Sequence, residues 1–310
     1  MLDPSIFEKI RGKCVGIQLP DGLKRYAKSI GEEFEKKGFE VIFSGKPTYG
    51  ACDLDLELLK NVDVLIHIGH TKLLDYDRVI YVPYRVDYEV DPEILKREIK
   101  ERRIAIIGTA SYAWKFKEVK KILEKSGFEV EMKKGRRTEY EGQVLGCDYS
   151  ALDGIEADAV LFIGDGRFHA IGASIYTRKK VYAYNPLSGE IELIEEDFLK
   201  KRYIAVSRAK MCESFGILVS TKPGQNRLGL AKRLRNLARE RGLKAEVILT
   251  DEITPQLTEN FGFDCYVNTA CPRIAYDDYE RFEKPLITPQ EFEVVLGIKS
   301  EIEVDTIKLK

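Results

Sequence analysis

Three cysteines lie in segments of similar sequence and could together hold a metal centre. They are Cys52 in YGACDLD, Cys147 in VLGCDYS and Cys271 in NTACPRIAYDD. None of them stands at the short spacing of a zinc finger, a ferredoxin loop or a redox CxxC pair, so only the fold could bring them together. Three thiolates can ligate three irons of a 4Fe–4S cluster and leave the fourth iron open for a substrate. Spacing alone leaves zinc as the main alternative.

The elements that would position these cysteines occur three times along the chain. Each copy has a short apolar run, a loop with Gly or Pro, a helix-period stretch, a Gly and a second apolar run. That order predicts a strand–loop–helix–strand unit. The three copies cover residues 13–43, 102–132 and 213–249. A buried-strand run then continues each copy, at residues 61–70, 156–165 and 262–271.

The cysteines keep a fixed place in the first two copies. Cys52 precedes Asp63 by eleven residues, and Cys147 precedes Asp158 by the same number. A repeat of roughly 100 residues is too long for a solenoid, so the pattern predicts a triplicated domain.

The third copy departs from this spacing. Cys271 follows its aspartate, Asp264, by seven residues. It therefore stands where His70 and Asp165 stand in the other two copies.

The predicted fold is α/β, with three homologous domains, each a small parallel sheet flanked by helices, arranged as a pseudo-threefold triangle. The domain boundaries are placed at 1–100, 101–205 and 206–310, with charged linkers around 87–98 and 191–203. Ligands gather at the carboxyl ends of parallel strands. The loops that follow the strands should therefore face one centre, together with the three cysteines.

Composition argues against several classes of function. The net charge is −1, with 50 basic and 51 acidic residues interleaved, so neither nucleic acid nor an anionic membrane is expected as a partner. No apolar run reaches membrane length, and residues 1–13 lack a signal-peptide core. Six cysteines without a secretion signal predict a cytoplasmic protein in a reducing compartment. Cys14, Cys212 and Cys265 are expected to be small buried side chains and not ligands.

The chain resembles the archaeal diphthamide synthases, the 2-(3-amino-3-carboxypropyl)histidine synthases, over nearly its whole length. The motifs that carry the resemblance are YGACD (49–53), GQVLGC (142–147), IGDGRFH (163–169), YNP (184–186), STKPGQ (220–225) and NTACPR (268–273). Their order, with one cysteine in each repeat, is specific. The family's three cluster ligands correspond to Cys52, Cys147 and Cys271.

The resemblance implies an unusual radical enzyme with a 4Fe–4S cluster and S-adenosylmethionine as co-substrate. Like the family, the chain lacks the CxxxCxxC loop of ordinary radical enzymes. Family members cleave the bond from sulfur to the γ-carbon, and the 3-amino-3-carboxypropyl radical adds to C2 of a histidine in translation elongation factor 2. This is the first step of diphthamide biosynthesis. The resemblance further implies an electron donor, a homodimer and no catalytic residue beyond the cluster.

Residues in the strand-end loops are expected to contact S-adenosylmethionine. They are Asp21, Gly22, Gly164, Asp165, Gly166, Lys222, Gly224, Gln225 and Arg273. Gly164 and Gly166 would allow close backbone approach, and Arg273 could pair with the substrate carboxylate. Each has a plainer interpretation as a turn, a helix entry or a local salt bridge. His169 is either a satisfied histidine or part of the acceptor pocket.

Three other classes of function remain to be weighed against this one. A lyase or condensing enzyme like quinolinate synthase shares the architecture of three related domains with one cluster cysteine each, but its cysteine-flanking motifs are not visible here. A noncatalytic partner subunit would be expected to lose cluster ligands, and all three are present. A zinc-stabilised binding protein would be separated by metal and sulfide analysis.

Overall fold

Three sheets with the same strand order form the framework of the protein. The computed structural model describes residues 4–194 and 197–307. In each sheet the first strand lies between the second and the third, and the fourth pairs with the third. Within the described residues every pairing is parallel, except for one antiparallel strand at the edge of the second sheet. The predicted α/β class with three repeated sheets is confirmed.

The first sheet consists of β1 (Cys14–Gln18), β2 (Glu40–Phe43), β3 (Val64–Gly69) and β4 (Val79–Pro83). Its helices are α1 (Ile6–Lys9), α2 (Ala27–Glu35), α3 (Leu56–Leu59) and α4 (Pro92–Glu98), with a 3₁₀ helix over Asp21–Tyr26. The predicted linker at 87–98 contains α4. This helix begins at Asp91, whose carboxylate accepts backbone N–H groups of the first turn, followed by Pro92.

The second sheet consists of β5 (Arg103–Gly108), β6 (Glu129–Glu131), β7 (Ala159–Ile163), β8 (Lys180–Asn185) and the antiparallel β9 (Glu190–Leu193). Its helices are α5 (Ala110–Ala113), α6 (Phe116–Lys125) and α7 (Phe168–Thr177), with a 3₁₀ helix over Ser150–Leu152. Helix α6 buries Phe116, Val119 and Leu123, which share one face at helical spacing.

The third sheet consists of β10 (Ser214–Ser220), β11 (Lys244–Thr250), β12 (Cys265–Asn268) and β13 (Leu286–Ile287). Its helices are α8 (Asp197–Ala209), α9 (Leu228–Arg239), α10 (Pro255–Phe261), α11 (Pro272–Tyr276) and α12 (Pro289–Val295), with a 3₁₀ helix over Tyr279–Arg281. The predicted linker at 191–203 contains residues 195–196, which lie outside the described residues. Its remainder includes the start of α8.

The aspartate before the third strand of each repeat has a structural role. Asp63 accepts a hydrogen bond from the backbone N–H of Cys14 at 2.9 Å, and Asp264 accepts one from Ser214 at 2.9 Å. Asp158 forms an ion pair with the arginine that begins β5. These carboxylates therefore fasten the start of the first strand to the start of the third.

A fully buried ion pair attaches α8 to the third sheet. Arg202 and Glu291 make two contacts, of 2.7 and 2.6 Å, and both side chains are fully buried. The remaining donors of Arg202 reach the carbonyl groups of Ala275 at 2.7 Å and Leu286 at 3.0 Å. Because each of its three nitrogens donates to an acceptor, the guanidinium can stay charged in the core.

A disulfide joins Cys212 to Cys265, which corrects the expectation that both are isolated buried thiols. Cys212 follows α8 and Cys265 begins β12, so the bond fastens the helix to the sheet. The pair was missed because 53 positions separate the two residues and each sits beside an apolar run. Cys14 is unpaired and half-buried at the start of β1.

The segment 302–307 crosses from the third repeat to the second. The carbonyl of Ile302 accepts a hydrogen bond from Arg178 at 2.7 Å, and Val304 packs into the core of the second sheet. The backbone N–H of Ile307 donates to the carbonyl of Cys147 at 3.0 Å. The end of the third repeat therefore forms part of the wall around Cys147. Among the described residues, no helix has the length and apolar content needed to cross a bilayer.

Candidate functional site

Cys52, Cys147 and Cys271 come together from the three repeats. Cys52 lies between β2 and α3, Cys147 lies between β6 and the 3₁₀ helix at 150–152, and Cys271 directly precedes α11. Each thiol is close enough to the other two for electrostatic coupling. Within the described ranges, no three His, Cys, Asp or Glu side chains are placed around a single metal ion.

Burial keeps these thiols protonated in the absence of a metal. It raises the pKa of Cys52 to about 12. Burial is also the largest cause of the raised pKa of Cys147 and of Cys271, and the neighbouring thiols raise the pKa of Cys271 further. A metal centre would supply the positive charge that ionises them, because coordination deprotonates a thiol. The donor set thus fits an iron–sulfur cluster.

Gln225 connects two of the cysteines. Its Nε2 donates to Cys52 Sγ at 3.4 Å, and its Oε1 accepts the backbone N–H of Cys271 at 3.2 Å. The neighbouring Gly224 donates its N–H to the carbonyl of Cys52 at 2.8 Å. A Cβ on Gly224 would lie 2.5 Å from the Cβ of Cys52, so only glycine permits this approach. The predicted residues Gly224 and Gln225 therefore lie directly beside two of the predicted ligands.

Arg137 holds the third cysteine. Its Nη2 donates to Cys147 Sγ at 3.2 Å and to the Cys147 carbonyl at 3.1 Å, while its Nε donates to Asp148 at 3.3 Å. Its Nη1 is buried and has no hydrogen-bond partner among the described residues. A buried guanidinium N–H without an acceptor is costly. A cluster beside Cys147 would bring sulfur acceptors close to this group, so the orphaned donor also fits a metal centre.

Hydrogen bonds from Asn268 and Arg227 hold the loop that carries Cys271. Asn268 Nδ2 donates to the Cys271 carbonyl at 2.8 Å. Arg227 donates to the carbonyls of Thr269 at 2.5 Å and Ala270 at 3.0 Å, and it pairs with the buried Asp305 at 2.5 Å. These contacts fix the backbone on which the cysteine stands.

Lys222 and the Asp21–Gly22 loop were predicted to contact the co-substrate, and the structure gives them other contacts. Lys222 is buried and pairs with Asp53 at 3.1 Å and Glu252 at 2.7 Å, so it joins the first repeat to the third. Asp21 is exposed and pairs with Lys24 at 2.7 Å. Gly22 is exposed, with no atom within 4 Å of where its Cβ would be.

The predicted residues of the GDGRFH loop separate into exposed and buried positions. Gly164 is buried, and a Cβ there would lie 2.9 Å from the ring of Phe162. Asp165 and Gly166 are exposed, and Gly166 has a φ of 74°. His169 stacks on the Phe162 ring at 5.9 Å. Burial, with a smaller contribution from nearby positive charge, lowers the pKa of His169 to about 4. This histidine is therefore a neutral, packed residue.

Arg273 lies beside this loop. It forms an ion pair with Asp277 at 3.1 Å, and its guanidinium lies over the Phe168 ring at 5.6 Å. The local salt bridge that the sequence left open is present. Arg273 also influences the ionisation of Cys271, so its charge acts on the cysteine site.

Sequence reasoning missed Arg137 and a buried histidine pair. His67 Nε2 lies 3.0 Å from His70 Nδ1, and His67 Nδ1 lies 3.0 Å from Gln18 Oε1. The repeat alignment placed His70 at the position of Cys271, which was the available signal for the pair. Arg137 lies in the charged run KKGRR, which gives no local sign that the side chain of one arginine is mostly buried.

These features define a class of α/β proteins in which three repeated sheets each bring one cysteine to a shared site. Residues 19–307 match the family described as "Putative diphthamide synthesis protein". The chain belongs to this diphthamide-synthesis family.

Named relatives and solved structures agree with this assignment. The chain is 40% identical to the 2-(3-amino-3-carboxypropyl)histidine synthase of Pyrococcus horikoshii, over 97% of this chain and 90% of the relative. It is 31% identical to the synthase of the same name from Methanocaldococcus jannaschii, over 94% of this chain and 86% of the relative. The matched relatives are thus named as enzymes of one kind.

The crystal structure of Dph2 from Pyrococcus horikoshii superposes with a TM-score of 0.91 at 37% identity, covering 99% of this chain and 95% of that one. A second structure of the same protein contains a 4Fe–4S cluster. It superposes with a TM-score of 0.90 at 38% identity, covering 98% and 91% of the two chains. The fold described above is therefore the fold of these proteins.

Proposed function

We propose that this chain transfers the 3-amino-3-carboxypropyl group of S-adenosylmethionine to C2 of a histidine imidazole in translation elongation factor 2. The transfer follows a radical mechanism and is the first step of diphthamide biosynthesis. The observation that carries the proposal is the meeting of Cys52, Cys147 and Cys271 in one partly buried site. The family match and the names of the relatives support the same reaction.

In this proposal Cys52, Cys147 and Cys271 hold a 4Fe–4S cluster. Such a cluster, with three thiolate ligands, supplies an electron for breaking a sulfur–carbon bond and an open iron for the sulfonium group. Gln225 and Arg137 donate N–H groups to two of the thiolates, which stabilises their negative charge.

The remaining predicted residues divide by their freedom to bind the co-substrate. Gly164, Gly166 and the exposed carboxylate of Asp165 follow β7, where they can approach a ligand at the carboxyl edge of the sheet. Arg273 is available to exchange its surface partner Asp277 for a substrate carboxylate. Lys222 is satisfied by two carboxylates, so its assigned role becomes positioning the 220–225 loop.

The proposal includes three partners. The acceptor histidine belongs to a protein, an external electron donor reduces the cluster, and two copies of this chain form a homodimer. The reaction takes place in the cytoplasm, where its protein substrate is made. The near-zero net charge provides no general attraction for RNA.

Anaerobic spectroscopy and product analysis test the proposal. The purified protein should be brown, and dithionite should bleach its broad absorption band. The reduced protein should then convert S-adenosylmethionine to 5′-methylthioadenosine without 5′-deoxyadenosine, and archaeal elongation factor 2 should gain label on one histidine. A colourless zinc protein, or 5′-deoxyadenosine as the main product, would refute the assignment.

Cysteine variants provide the matched control. Replacing Cys52, Cys147 or Cys271 by Ala should lower iron content and abolish cleavage. Cys14→Ala removes a thiol that is half-buried and unpaired outside the site, so iron content and cleavage should stay at the parental level. Equal iron loss in all four variants would contradict the assigned ligand set.

A further inference from the structure

Two histidines and a glutamine form a buried chain of hydrogen bonds that the proposed reaction does not yet use. Gln18 and His67 are essentially inaccessible to solvent, and His70 is partly buried. Two contacts of 3.0 Å link the three side chains. One joins Gln18 Oε1 to His67 Nδ1, and the other joins His67 Nε2 to His70 Nδ1. The chain runs from β1 through β3 to the loop after β3.

Backbone groups fix the direction of every hydrogen bond in this chain. The Gln18 Nε2 donates to the carbonyl of Asp53 at 2.6 Å, and its Oε1 accepts the N–H of Asp55 at 3.2 Å. A carbonyl can only accept and a backbone N–H can only donate, so the amide cannot be reversed. His67 must therefore donate from Nδ1 to Gln18 Oε1.

The tautomer of the next ring follows. With the proton of neutral His67 on Nδ1, its Nε2 is a lone pair and must accept from His70 Nδ1. Neutral His70 then carries its proton on Nδ1, and its Nε2 is left as a bare acceptor. Among the described residues no group forms a hydrogen bond with His70 Nε2.

Both rings are neutral before the reaction. Burial lowers the pKa of His67 to about 3, with a contribution from His70, and burial lowers the pKa of His70 to about 4. Tyr81 packs against the His67 ring at 5.4 Å and donates its hydroxyl to the carbonyl of Leu74, so it does not compete for a histidine nitrogen.

His70 lies in the loop that follows β3, at the carboxyl edge of the first sheet. Gly69 turns the chain at the end of β3 with a φ of 114°, and a Cβ there would lie 2.6 Å from Pro20. Thr71 accepts a hydrogen bond from Gln143 of the second repeat at 2.8 Å. In the repeat alignment His70 corresponds to Cys271, which lies in the shared site. Tyr81 also couples electrostatically to Cys52.

We propose that His70 Nε2 is the base that takes the C2 proton from the acceptor imidazole. This inference rests on the proposed function. When the carbon radical adds to C2, a carbon–carbon bond forms, and C2 then carries both the new substituent and its original hydrogen. Aromaticity returns when the adduct loses one electron and that proton. The electron goes to a one-electron acceptor of the iron–sulfur class, and the proton goes to His70 Nε2.

A weak base is sufficient for this step. A ring that has lost its electron but kept the C2 proton is a strong acid, because losing the proton restores an aromatic system. Protonation of Nε2 makes His70 an imidazolium cation. His70 can then pass its Nδ1 proton to His67 Nε2 along the existing hydrogen bond, so the positive charge is shared by the two rings. The Gln18 amide cannot take a proton, so the positive charge stays on the two histidine rings. It is removed when a proton leaves from His70 Nε2.

Nitrogen NMR tests the tautomer independently of any activity. The full chain with its oxidised cluster is labelled with ¹⁵N-histidine, and its three histidines are assigned by the signal lost in each of the variants His67→Gln, His70→Gln and His169→Gln. At neutral pH, His70 Nε2 should show the shift of a bare nitrogen and Nδ1 that of a protonated one. A protonated Nε2 in His70 would overturn the proposal even if the enzyme proved active.

Product partition tests the chemical role. In His70→Gln, the ratio of transfer onto the acceptor histidine to formation of 5′-methylthioadenosine should fall by about 100-fold or more, because the base acts after cleavage. In His70→Ala, added 2-methylimidazole should restore transfer; its C2 is blocked, so it cannot itself accept the radical. Equal loss of cleavage and transfer, or absence of rescue, would contradict the role as a base. If the parent cleaves no S-adenosylmethionine, the proposed function fails, and the NMR result still decides the tautomer.

Discussion

The contact between Gly224 and Cys52 allows a sharp test of how the cysteine site is built. Gly224→Ala adds one methyl group, and that carbon would lie 2.5 Å from the Cβ, 2.6 Å from the Cα and 3.0 Å from the carbonyl oxygen of Cys52. Gly224 does not have a positive φ, so backbone strain does not contribute. The substitution therefore measures the close approach of the two loops alone.

The expected cost follows from this geometry. The 2.5 Å separation between the two Cβ atoms must grow by about 0.9 Å to reach the 3.4 Å of ordinary contact. The facing Cys52 atoms are its Cβ and backbone, which cannot rotate away as the end of a flexible side chain could. Overpacking of this kind costs about 1–3 kcal/mol. Opening the loops also breaks the 2.8 Å hydrogen bond from Gly224 to the Cys52 carbonyl, which adds about 1 kcal/mol. The free energy of unfolding should fall by about 2–4 kcal/mol.

Gly224→Ala should affect the iron content of the cysteine site more strongly than the stability of the fold. Moving Cys52 away from Gln225 and the other two thiols should lower the iron and sulfide content of anaerobically purified protein. Gly229→Ala is the matched control, because nothing lies within 4 Å of its Cβ position in α9 and alanine favours a helix. That control should keep its iron and gain up to about 1 kcal/mol. Iron content and denaturant midpoint at parental levels in Gly224→Ala would refute the reasoning.

Three further predictions concern stability. Arg202→Met should lower the free energy of unfolding by about 3–5 kcal/mol because it leaves Glu291 buried and unpaired, whereas Arg202→Met combined with Glu291→Gln should recover part of the loss in urea titrations. The Cys212–Cys265 disulfide closes a loop of 53 positions, so its reduction should lower the free energy of unfolding by about 4 kcal/mol in guanidinium titrations. As a control, Cys212→Ala should have the same denaturation midpoint with and without reductant. Hydrogen bonds from Ser214 lower the pKa of Asp264 below its usual value of 3.8. The stabilisation of the fold by the ionised carboxylate is therefore fully present above pH 3.8 and is lost as the pH falls through the lowered pKa. Asp264→Asn should flatten the acid limb of a stability–pH curve, and an unchanged limb would count against that contribution.

The sequence predicted the framework because the repeats encode it locally. Apolar runs, Gly-containing loops and helical periodicity recur in order, and each sheet observed has the strand order that such a repeat produces. Cys271 broke the spacing of the other cysteines, yet its place after β12 brings it to the same site as Cys52. The domain boundaries and the cofactor contacts stay predictions.

Contacts between distant side chains could not be predicted from one sequence. The pairing of Lys222 with Asp53 depends on how two separate repeats pack, which no periodicity specifies. The same limit hid the disulfide between Cys212 and Cys265, which join two elements that are far apart along the chain. Arg137 looked like a solvated charge because burial is a property of the folded surface and not of the residue type.

The crossing segment 302–307 has a consequence for the order in which the site can be assembled. Cys52 is synthesised early, but the wall around Cys147 includes Ile307, and the loop carrying Cys271 is braced through Arg227 by Asp305. During synthesis on the ribosome the first sheet can therefore fold long before the cysteine site is complete. Under the proposed function, iron would therefore be delivered to a chain that has already been translated through residue 307. Maturation of the centre is thus expected to follow translation, and a delivery system would meet three folded repeats and not a nascent chain.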